Sequence, residues 1–196
     1  MQQRPVSRRN LVIGATVFGA YAGAYAVVRR AFAGESTPTP RQTPGPFYPQ
    51  SLPLDHDTDL TWVRGQAEQS PGTITDVMGR VLTASGKAVP GVRVEIWECD
   101  TKGYYHHPHD RGGRADPRFQ NYGRTSTDEQ GQYRFRTIRP IAYPGRAPHI
   151  HFSVAGRGIR RLTTQMYIAC EAANARGIIY NSIHDIKSRM ECDGSA

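Results

Sequence analysis

The chain has 196 residues, which is enough for one domain and a short leader. Its 25 basic and 17 acidic side chains give a formal net charge of +8 at pH 7. Five arginines and no acidic residue lie within residues 1–33, so the rest of the chain carries 20 basic and 17 acidic side chains, a net charge of about +3. The high charge belongs largely to the N-terminus, and a nucleic-acid-binding function, which needs a clustered basic face, loses its main support.

Residues 1–33 have the pattern of an export signal. The pair Arg8-Arg9 precedes an uncharged apolar run over residues 11–28, and Ala31-Phe32-Ala33 has the form of a cleavage site. We therefore expect a twin-arginine-type signal peptide, removed on export to the periplasm or the medium. A retained membrane anchor is the alternative, because about 18 apolar residues just span a bilayer, and Arg29-Arg30 before the cleavage motif is unusual for a signal peptide.

The remaining chain is predicted to be all-β. Residues 34–44 are polar and rich in proline, and we expect them to be a linker without material for a core. No long segment of helical period follows, and only residues 171–189 are compatible with a short helix. We therefore predict a single β-sandwich domain over residues 45–196 with a short or irregular C-terminal tail. Alternation with period two places strands at residues 73–82, 91–97, 132–137, 149–155 and 162–168, separated by turn signals such as residues 84–87 and 128–131.

Three cysteines cannot all pair with one another. In an oxidising compartment, Cys170 and Cys192 are candidates for a disulfide that tethers the tail, although the sequence leaves this pairing open. Cys99 follows a strand that reads as buried, and we expect it to be a small apolar filler.

Residues 143–152, with the sequence YPGRAPHIHF, contain the most chemical information. Alternate side chains of an extended strand share a face, so His149 and His151 both reach one point. Two neutral imidazoles on one face make half of a metal site, and the alternative is a histidine pair that only packs within the strand. The phenol of Tyr143 becomes a hard anionic oxygen donor when it ionises, which favours ferric iron over zinc.

A second group of motifs lies about 40 residues earlier, and together the two groups resemble the intradiol ring-cleavage dioxygenases. That family includes protocatechuate 3,4-dioxygenase and the catechol and hydroxyquinol 1,2-dioxygenases. The resemblance covers about residues 43–168, and the short chain makes the protocatechuate-type core the closer analogue. The matching elements are, in order, Trp97-x-x-Asp100, Gly103-x-Tyr105-x-His107-x-x-Asp110, Gly113-Arg114, the segment at residues 133–140, and Tyr143 with Arg146-x-x-His149-x-His151.

The resemblance implies that Tyr105, Tyr143, His149 and His151 are the metal ligands of a non-haem Fe(III) cofactor. Tyr104 competes with Tyr105, because neighbouring residues of an extended chain face opposite ways, and the family's Gly-x-Tyr spacing selects Tyr105. The small-molecule partners implied are a catechol-type substrate and O2. The ring would open between its two hydroxyl-bearing carbons to give a cis,cis-muconate-type product, and Tyr143 would leave the metal and act as an internal base.

The resemblance also suggests supporting roles for other residues. Arg146 is expected to stabilise negative charge that develops on the ring, and the alternative is a surface arginine in a Pro/Gly loop. Gln165 matches a family position near the substrate ring, although a strand glutamine that bonds backbone is an equal alternative. Tyr48 resembles an element that lines the cavity entrance. The loop after Tyr105 contains three histidines that are expected to be exposed: His106, His107 and His109. One of them is a candidate to orient a metal ligand.

Two other functions remain open at this stage. One is a zinc or ferrous site in an exported β-domain. The other is a metal-binding or ligand-binding β-sandwich module without dioxygenase turnover, since this architecture often binds partners without catalysis. We expect no nucleic-acid partner and membrane contact only through the leader, and a homo-oligomer is compatible with the family.

Overall fold

The computed structural model describes residues 11–19, 37–110, 114–169, 171–183 and 190–192. Within these residues it contains eight β-strands, one 3₁₀ helix and one short α-helix. In chain order they are β1 (Leu11–Gly19), β2 (Ile74–Thr83), β3 (Arg93–Trp97), β4 (Tyr122–Ser126), β5 (Gln132–Ile138), β6 (His149–Gly156), β7 (Ile159–Ile168), the 3₁₀ helix (Ala172–Arg176), α1 (Ile178–Asn181) and β8 (Met190–Cys192).

The strands form a β-sandwich, which confirms the predicted fold class. One sheet has the order β1-β2-β5 and the other has the order β4-β3-β6-β7-β8. Neighbouring strands are antiparallel except for β7 and β8, which are parallel. The main core lies between the sheets, where Val77 and Phe135 of the first sheet join Ile96, Ile150 and Phe152 of the second in one cluster of buried side chains. Burial of these apolar surfaces is the main stabilising contribution to the fold.

The five strands predicted from period two are all present, with boundaries that differ by up to three residues. The described part of the tail contains the expected short helical segments. Strand β4 was not predicted, because its sequence, YGRTS, has no apolar alternation. It forms by pairing with β3. No helix in the described part of the chain is long and apolar enough to cross a membrane.

Two predicted N-terminal segments contact the sandwich. Residues 11–19 of the expected leader are strand β1, which pairs along β2. The other leader residues lie outside the described residues, so export and cleavage stay predictions. The described part of the expected linker runs beside β7, where the Gln42 amide N–H donates to the Thr163 carbonyl at 2.9 Å and the side chain of Thr39 is buried.

Two of the three cysteines, Cys99 and Cys192, lie within the described residues. Cys99 is buried beside Trp97 and Tyr105, as expected of an apolar filler. Cys170 lies outside the described residues. The disulfide to Cys192 therefore stays a prediction.

The five-stranded sheet presents two different faces. Ile96, Ile150 and Phe152 point into the core between the sheets. Because successive side chains of a strand alternate, Trp97 and His151 lie on the opposite, outer face. Strand register places Trp97, His151 and Gln165 in one row across β3, β6 and β7. Loops cover this outer face, and the candidate site lies there.

Glu98 is a carboxyl group buried directly after β3, with no exposed surface. The Thr137 hydroxyl donates to its Oε1, and its Oε2 has no hydrogen-bond partner in the described part of the chain. Burial raises the pKa of Glu98 well above its usual range, and the bond from Thr137 opposes this only in part. The group is therefore most compatible with the fold when it is protonated.

Replacing Glu98 with Gln should stabilise the protein increasingly as the pH rises. The folded-state pKa lies above the unfolded-state value of about 4.3, so the native protein loses stability as the pH rises from that value towards the folded-state pKa. Glutamine keeps an acceptor for Thr137 and has no charge to bury. The thermal midpoint of Glu98→Gln should exceed that of the native chain by a margin that grows from pH 4 to pH 8. The same change at exposed Glu129 is the control, and a margin independent of pH would contradict the assignment.

Candidate metal centre

Strand β6 brings the two predicted histidine ligands together. The Nε2 atoms of His149 and His151 are 3.2 Å apart, and both residues are 1% exposed. Two imidazoles at about 2.1 Å from one ion, bound at right angles, would hold their nitrogens about 3.0 Å apart. The pair therefore has the spacing of adjacent ligands, reached by the alternation of one strand.

The surroundings keep both imidazoles neutral and orient one of them. His149 Nδ1 donates to the Ala147 carbonyl at 2.6 Å, which leaves the lone pair of Nε2 free to bind a metal. Burial, together with the charge of Arg146, lowers the pKa of His149 to about 3. Burial lowers the pKa of His151 well below its usual range, and His149 and Arg146 act in the same direction. Neutral imidazole is the form that binds a metal.

His151 is packed between an indole and a backbone. The Trp97 ring stacks on it, with ring centroids 4.9 Å apart and planes inclined by 5°. On another side, Gly45 approaches so closely that a Cβ there would lie 3.2 Å from Cε1 of His151. Gly45 also has a φ of +68°, so a larger residue would be strained as well as crowded. The imidazole therefore has little freedom to turn.

The two predicted phenols lie beside the histidines. The rings of Tyr105 and Tyr143 meet edge to face with centroids 6.4 Å apart, and the Tyr143 ring is 5.5 Å from that of His149. Tyr105 is 2% exposed, and its hydroxyl has no hydrogen-bond partner among the described residues. Tyr143 is only half-buried. The structure thus brings all four predicted ligand residues to one place on the outer face.

Desolvation dominates the titration of both phenols. Burial raises the pKa of Tyr105 well above its usual range, and the nearby Tyr143 adds to this. Burial also raises the pKa of Tyr143, while the charge of Arg146 opposes the rise. A buried hydroxyl without a partner costs about 1–3 kcal/mol. A cation at this point would offset that cost and favour the phenolates.

Buried polar groups hold the loop that carries Tyr105. Its amide N–H donates to Asp110, and the Asn121 side chain donates to the carbonyls of Glu98 and Tyr104 at 2.9 and 3.2 Å. This hydrogen bonding places the Tyr105 ring beside Tyr143. Asn121 has a φ of +58°, a conformation that asparagine tolerates better than most residues. No sequence pattern predicted a role for Asn121.

Arg146 and Gln165 form one polar pair next to Tyr143. The Arg146 guanidinium donates to Gln165 Oε1, and its other terminal nitrogen lies 3.4 Å from the Tyr143 hydroxyl. Gln165 has no exposed surface. The two residues are 19 positions apart in the chain, and they meet because β7 lies beside β6. Arg146 is therefore part of the site and is held there by a buried amide.

The segment at residues 43–49, called the strap below, crosses the outer face above these residues. Phe47 stacks on Tyr105 with centroids 4.6 Å apart. Tyr48 places its ring edge on Trp97 and donates its hydroxyl to buried Glu95 at 3.2 Å. A small cavity beside the site is lined by Phe47, Trp97 and Tyr105 among others. The packing of Phe47 and the bond to Glu95 were not predicted from the sequence.

The histidine-rich loop differs in part from expectation. His106 is exposed, and its Nε2 lies 2.9 Å from the Asp116 carbonyl. His107 was expected to be exposed, and this was wrong: the residue is 6% exposed, because its ring packs edge-on against Phe47 of the strap. His109 is exposed, as expected, and its N–H donates to His107 Nδ1 at 3.1 Å.

The donor set is two imidazoles and two phenols. Across residues 37–110, 114–169 and 171–183, no group of three or more His, Cys, Asp or Glu side chains is placed to hold a metal ion. The phenol of Tyr143 is an oxygen donor that packs beside the imidazole pair. The unpartnered hydroxyl of Tyr105 and the converging Nε2 atoms fit a cation that prefers hard anionic oxygen together with imidazole nitrogen, and iron accepts both kinds of ligand.

Comparison with known proteins agrees with this geometry. A family model described as dioxygenase matches residues 43–191. The chain is 43% identical over 124 residues to the protocatechuate 3,4-dioxygenase beta chain of Burkholderia cepacia, a match that covers 59% of this chain and 52% of the relative. It is 34% identical over 155 residues to the catechol 1,2-dioxygenase of Acinetobacter baylyi, with 69% and 48% of the two chains covered.

A solved structure extends the likeness to three dimensions. The dioxygenase domain of a dioxygenase carbohydrate-binding protein fusion from Streptomyces sp. SirexAA-E is similar with a TM-score of 0.60 and 32% identity, covering 74% of this chain and 83% of that one. The fold, the site and the family match together define a ring-cleavage dioxygenase class. The chain belongs to the intradiol ring-cleavage dioxygenase family. It spans about half the length of the curated relatives that it matches.

Proposed function

We propose that this chain is a non-haem Fe(III) dioxygenase that uses O2 to cleave a catechol-type ring between its two hydroxyl-bearing carbons, giving a cis,cis-muconate-type product. The observation that carries the proposal is the convergence of two buried imidazole Nε2 atoms, 3.2 Å apart, beside a buried phenol whose hydroxyl has no hydrogen-bond partner among the described residues. Membership of the intradiol family supports the reaction type. The matched relatives are named for protocatechuate and catechol, which supports a catechol-type substrate.

Four side chains would hold the iron: Tyr105, Tyr143, His149 and His151. Two phenolates offset two of the three charges of ferric iron, and two neutral imidazoles complete the set without adding charge. A low net charge suits a buried site, because an uncompensated charge is costly to bury. The bound metal supplies Lewis acidity and a template on which the substrate is oriented towards oxygen.

The two tyrosines are suited to different roles. Tyr105 is clamped beneath Phe47 and almost fully buried, so its ring has little room to move. Tyr143 is half-buried on a turn that contains Pro144 and Gly145. A catechol must lose two hydroxyl protons before both of its oxygens can bind a metal. We assign the acceptance of one of these protons to the phenolate oxygen of Tyr143, whose half-buried ring has more room to move than that of Tyr105.

Arg146 and Gln165 act on the substrate side. The guanidinium lies beside Tyr143, with its central carbon 5.8 Å from the ring centroid. A permanent positive charge at this point stabilises negative charge as it builds on the dianionic ring. Gln165 holds the guanidinium through Oε1 and keeps it directed at the site. The guanidinium is therefore in place before the ring reacts and does not have to be reoriented.

Oxygen uptake tests the proposal directly. The protein is purified, loaded with ferric iron, and given catechol, protocatechuate, hydroxyquinol and a caffeate-like phenol in separate assays. We expect a red-brown charge-transfer colour and, with at least one substrate, equimolar consumption of O2 and formation of a ring-opened dicarboxylate. A chain that binds iron fully and consumes no oxygen with any of them would instead be a binding module without turnover.

Replacing Arg146 with Met should separate catalysis from metal binding. Methionine keeps much of the volume and removes the charge, so iron content should be unchanged. Turnover should fall by about one to three orders of magnitude, the scale of losing one electrostatic stabiliser. Arg157→Met, at an exposed turn, is the matched control and should leave both quantities unchanged. An unaltered rate in Arg146→Met would remove Arg146 from the mechanism.

The tyrosine variants should differ in colour and iron content. Tyr105→Phe should lose most of both, because it removes the buried phenolate. Tyr143→Phe should retain iron and a band from Tyr105 but bind a catechol slowly. Tyr104→Phe should resemble the native chain in the visible spectrum. Bleaching by Tyr104→Phe with colour retained in Tyr105→Phe would mean that the other tyrosine is the ligand.

We further propose that the chain is exported by the twin-arginine route, on the basis of the sequence of residues 1–33. Folded translocation would allow iron to be inserted before export. Replacing Arg8 and Arg9 with Lys should leave the protein in the cytoplasm, as judged by fractionation and immunoblotting. Continued export of the variant through the general secretion pathway would count against the assignment.

A further inference from the structure

The side chain of Gln165 accepts a hydrogen bond from Arg146 and is itself oriented by Thr43 of the strap. Its Nε2 donates to the Thr43 carbonyl at 3.0 Å. A backbone carbonyl only accepts, so the amide must present nitrogen to Thr43 and Oε1 to Arg146. The direction of the bond to the guanidinium therefore depends on a residue 122 positions away in the chain.

Gln42 is oriented by the same logic. Its Nε2 lies 3.3 Å from the Gln165 carbonyl and 3.2 Å from the Thr164 hydroxyl, and the carbonyl again requires a donor. Its Oε1 therefore faces the Tyr167 hydroxyl, at 2.8 Å. Gln42 thus links the backbone of β7 to the phenol of a buried tyrosine.

The Tyr167 hydroxyl lies between two amide oxygens. It is 2.8 Å from Gln42 Oε1 and 3.1 Å from Gln165 Oε1, and Tyr167 is 1% exposed. The phenol has one proton to share between these two acceptors. Without the hydroxyl, the oxygens of Gln42 and Gln165 both lose this donor. The amide of Gln165 would then be fixed by fewer contacts.

The Arg146 guanidinium has one other hydrogen-bond contact in the described part of the chain. It lies 3.4 Å from the Tyr143 hydroxyl, which is long for a hydrogen bond, and Tyr143 is the residue assigned to accept a substrate proton. The bond to Gln165 Oε1 is the shorter of the two, and Gln165 lies fully buried on strand β7. The orientation of Gln165 therefore decides where the guanidinium points.

We propose that Gln42 and Tyr167 are positioning residues for ring cleavage, acting on Arg146 through Gln165. The proposal rests on the proposed function, because the role of Arg146 is assigned there. It gives residues 42 and 43, both within the segment predicted to be a linker, a part in positioning the site. A displacement of about 1 Å in such a group costs up to about 100-fold in rate.

Tyr167 also has a packing role, since its ring contacts Tyr180 with centroids 5.0 Å apart. Tyr167→Phe retains that packing and removes only the hydroxyl. Gln42→Met removes the amide from a half-buried position and keeps a side chain of similar length. Both variants are combined with Arg146→Met. Tyr122→Phe, which removes another buried phenol hydroxyl, one bonded to Glu95 at 3.1 Å, is the control.

In iron-loaded protein, Tyr167→Phe and Gln42→Met should each lower kcat by about 10- to 100-fold with little change in KM. Iron content and visible band should stay as in the native chain. In the Arg146→Met background the same changes should lower kcat by less than about twofold, because the group that they position is gone. Equal losses in both backgrounds would overturn the proposal and leave Tyr167 and Gln42 with a structural role.

Unfolding of the metal-free protein by denaturant decides the proposal independently of turnover. The midpoint shifts caused by Tyr167→Phe and Arg146→Met should sum to more than the shift of the double variant, whereas Tyr122→Phe and Arg146→Met should be additive. Additive shifts for Tyr167 and Arg146 would overturn the coupling. If the native chain consumes no oxygen, the proposed function fails, and this cycle still shows whether Tyr167 holds Arg146.

Discussion

The site depends on two imidazoles that one strand buries on the same face. His149 and His151 are both 1% exposed, and their Nε2 atoms lie 3.2 Å apart. Because alternate residues of the strand face the core, these two side chains lie together on its other face. Trp97 stacks on one side of His151, and Gly45 lies against another. These contacts hold the two imidazole nitrogens close together and shield them from water.

Burial favours the neutral form of all four side chains of the site. Burial lowers the pKa values of both histidines and raises those of Tyr105 and Tyr143, so all four groups are neutral at physiological pH. A trivalent cation would reverse this balance for the phenols, because its charge favours their ionised forms. Under the proposal that the site holds ferric iron, metal binding would release protons from the phenols, and the affinity would increase with pH.

The N-terminal segment joins the site to the rest of the sandwich. The strap packs Phe47 on Tyr105 and fastens Tyr48 to Glu95, a carboxylate that also accepts from Tyr122 and contacts Arg93 at 3.1 Å. These bonds hold the strap across the sheet at a point where the backbone must pass close to His151. Such a cover excludes water from the imidazoles and strengthens every electrostatic interaction beneath it. Residues upstream of the sandwich core thus complete the site.

The sequence by itself determined what depends on short-range periodicity. Period two located five strands, and the His-x-His spacing put His149 and His151 on one face, because both patterns arise from the alternation of side chains along a strand. The order of motifs identified the family and selected Tyr105 over Tyr104. The burial of His107 and the pairing of β4 required the tertiary structure, since each depends on contact with another segment. The same holds for the bond from Gln165 to Thr43, which closes over 122 residues: no local pattern records which distant carbonyl will face an amide once two sheets and a strap have packed.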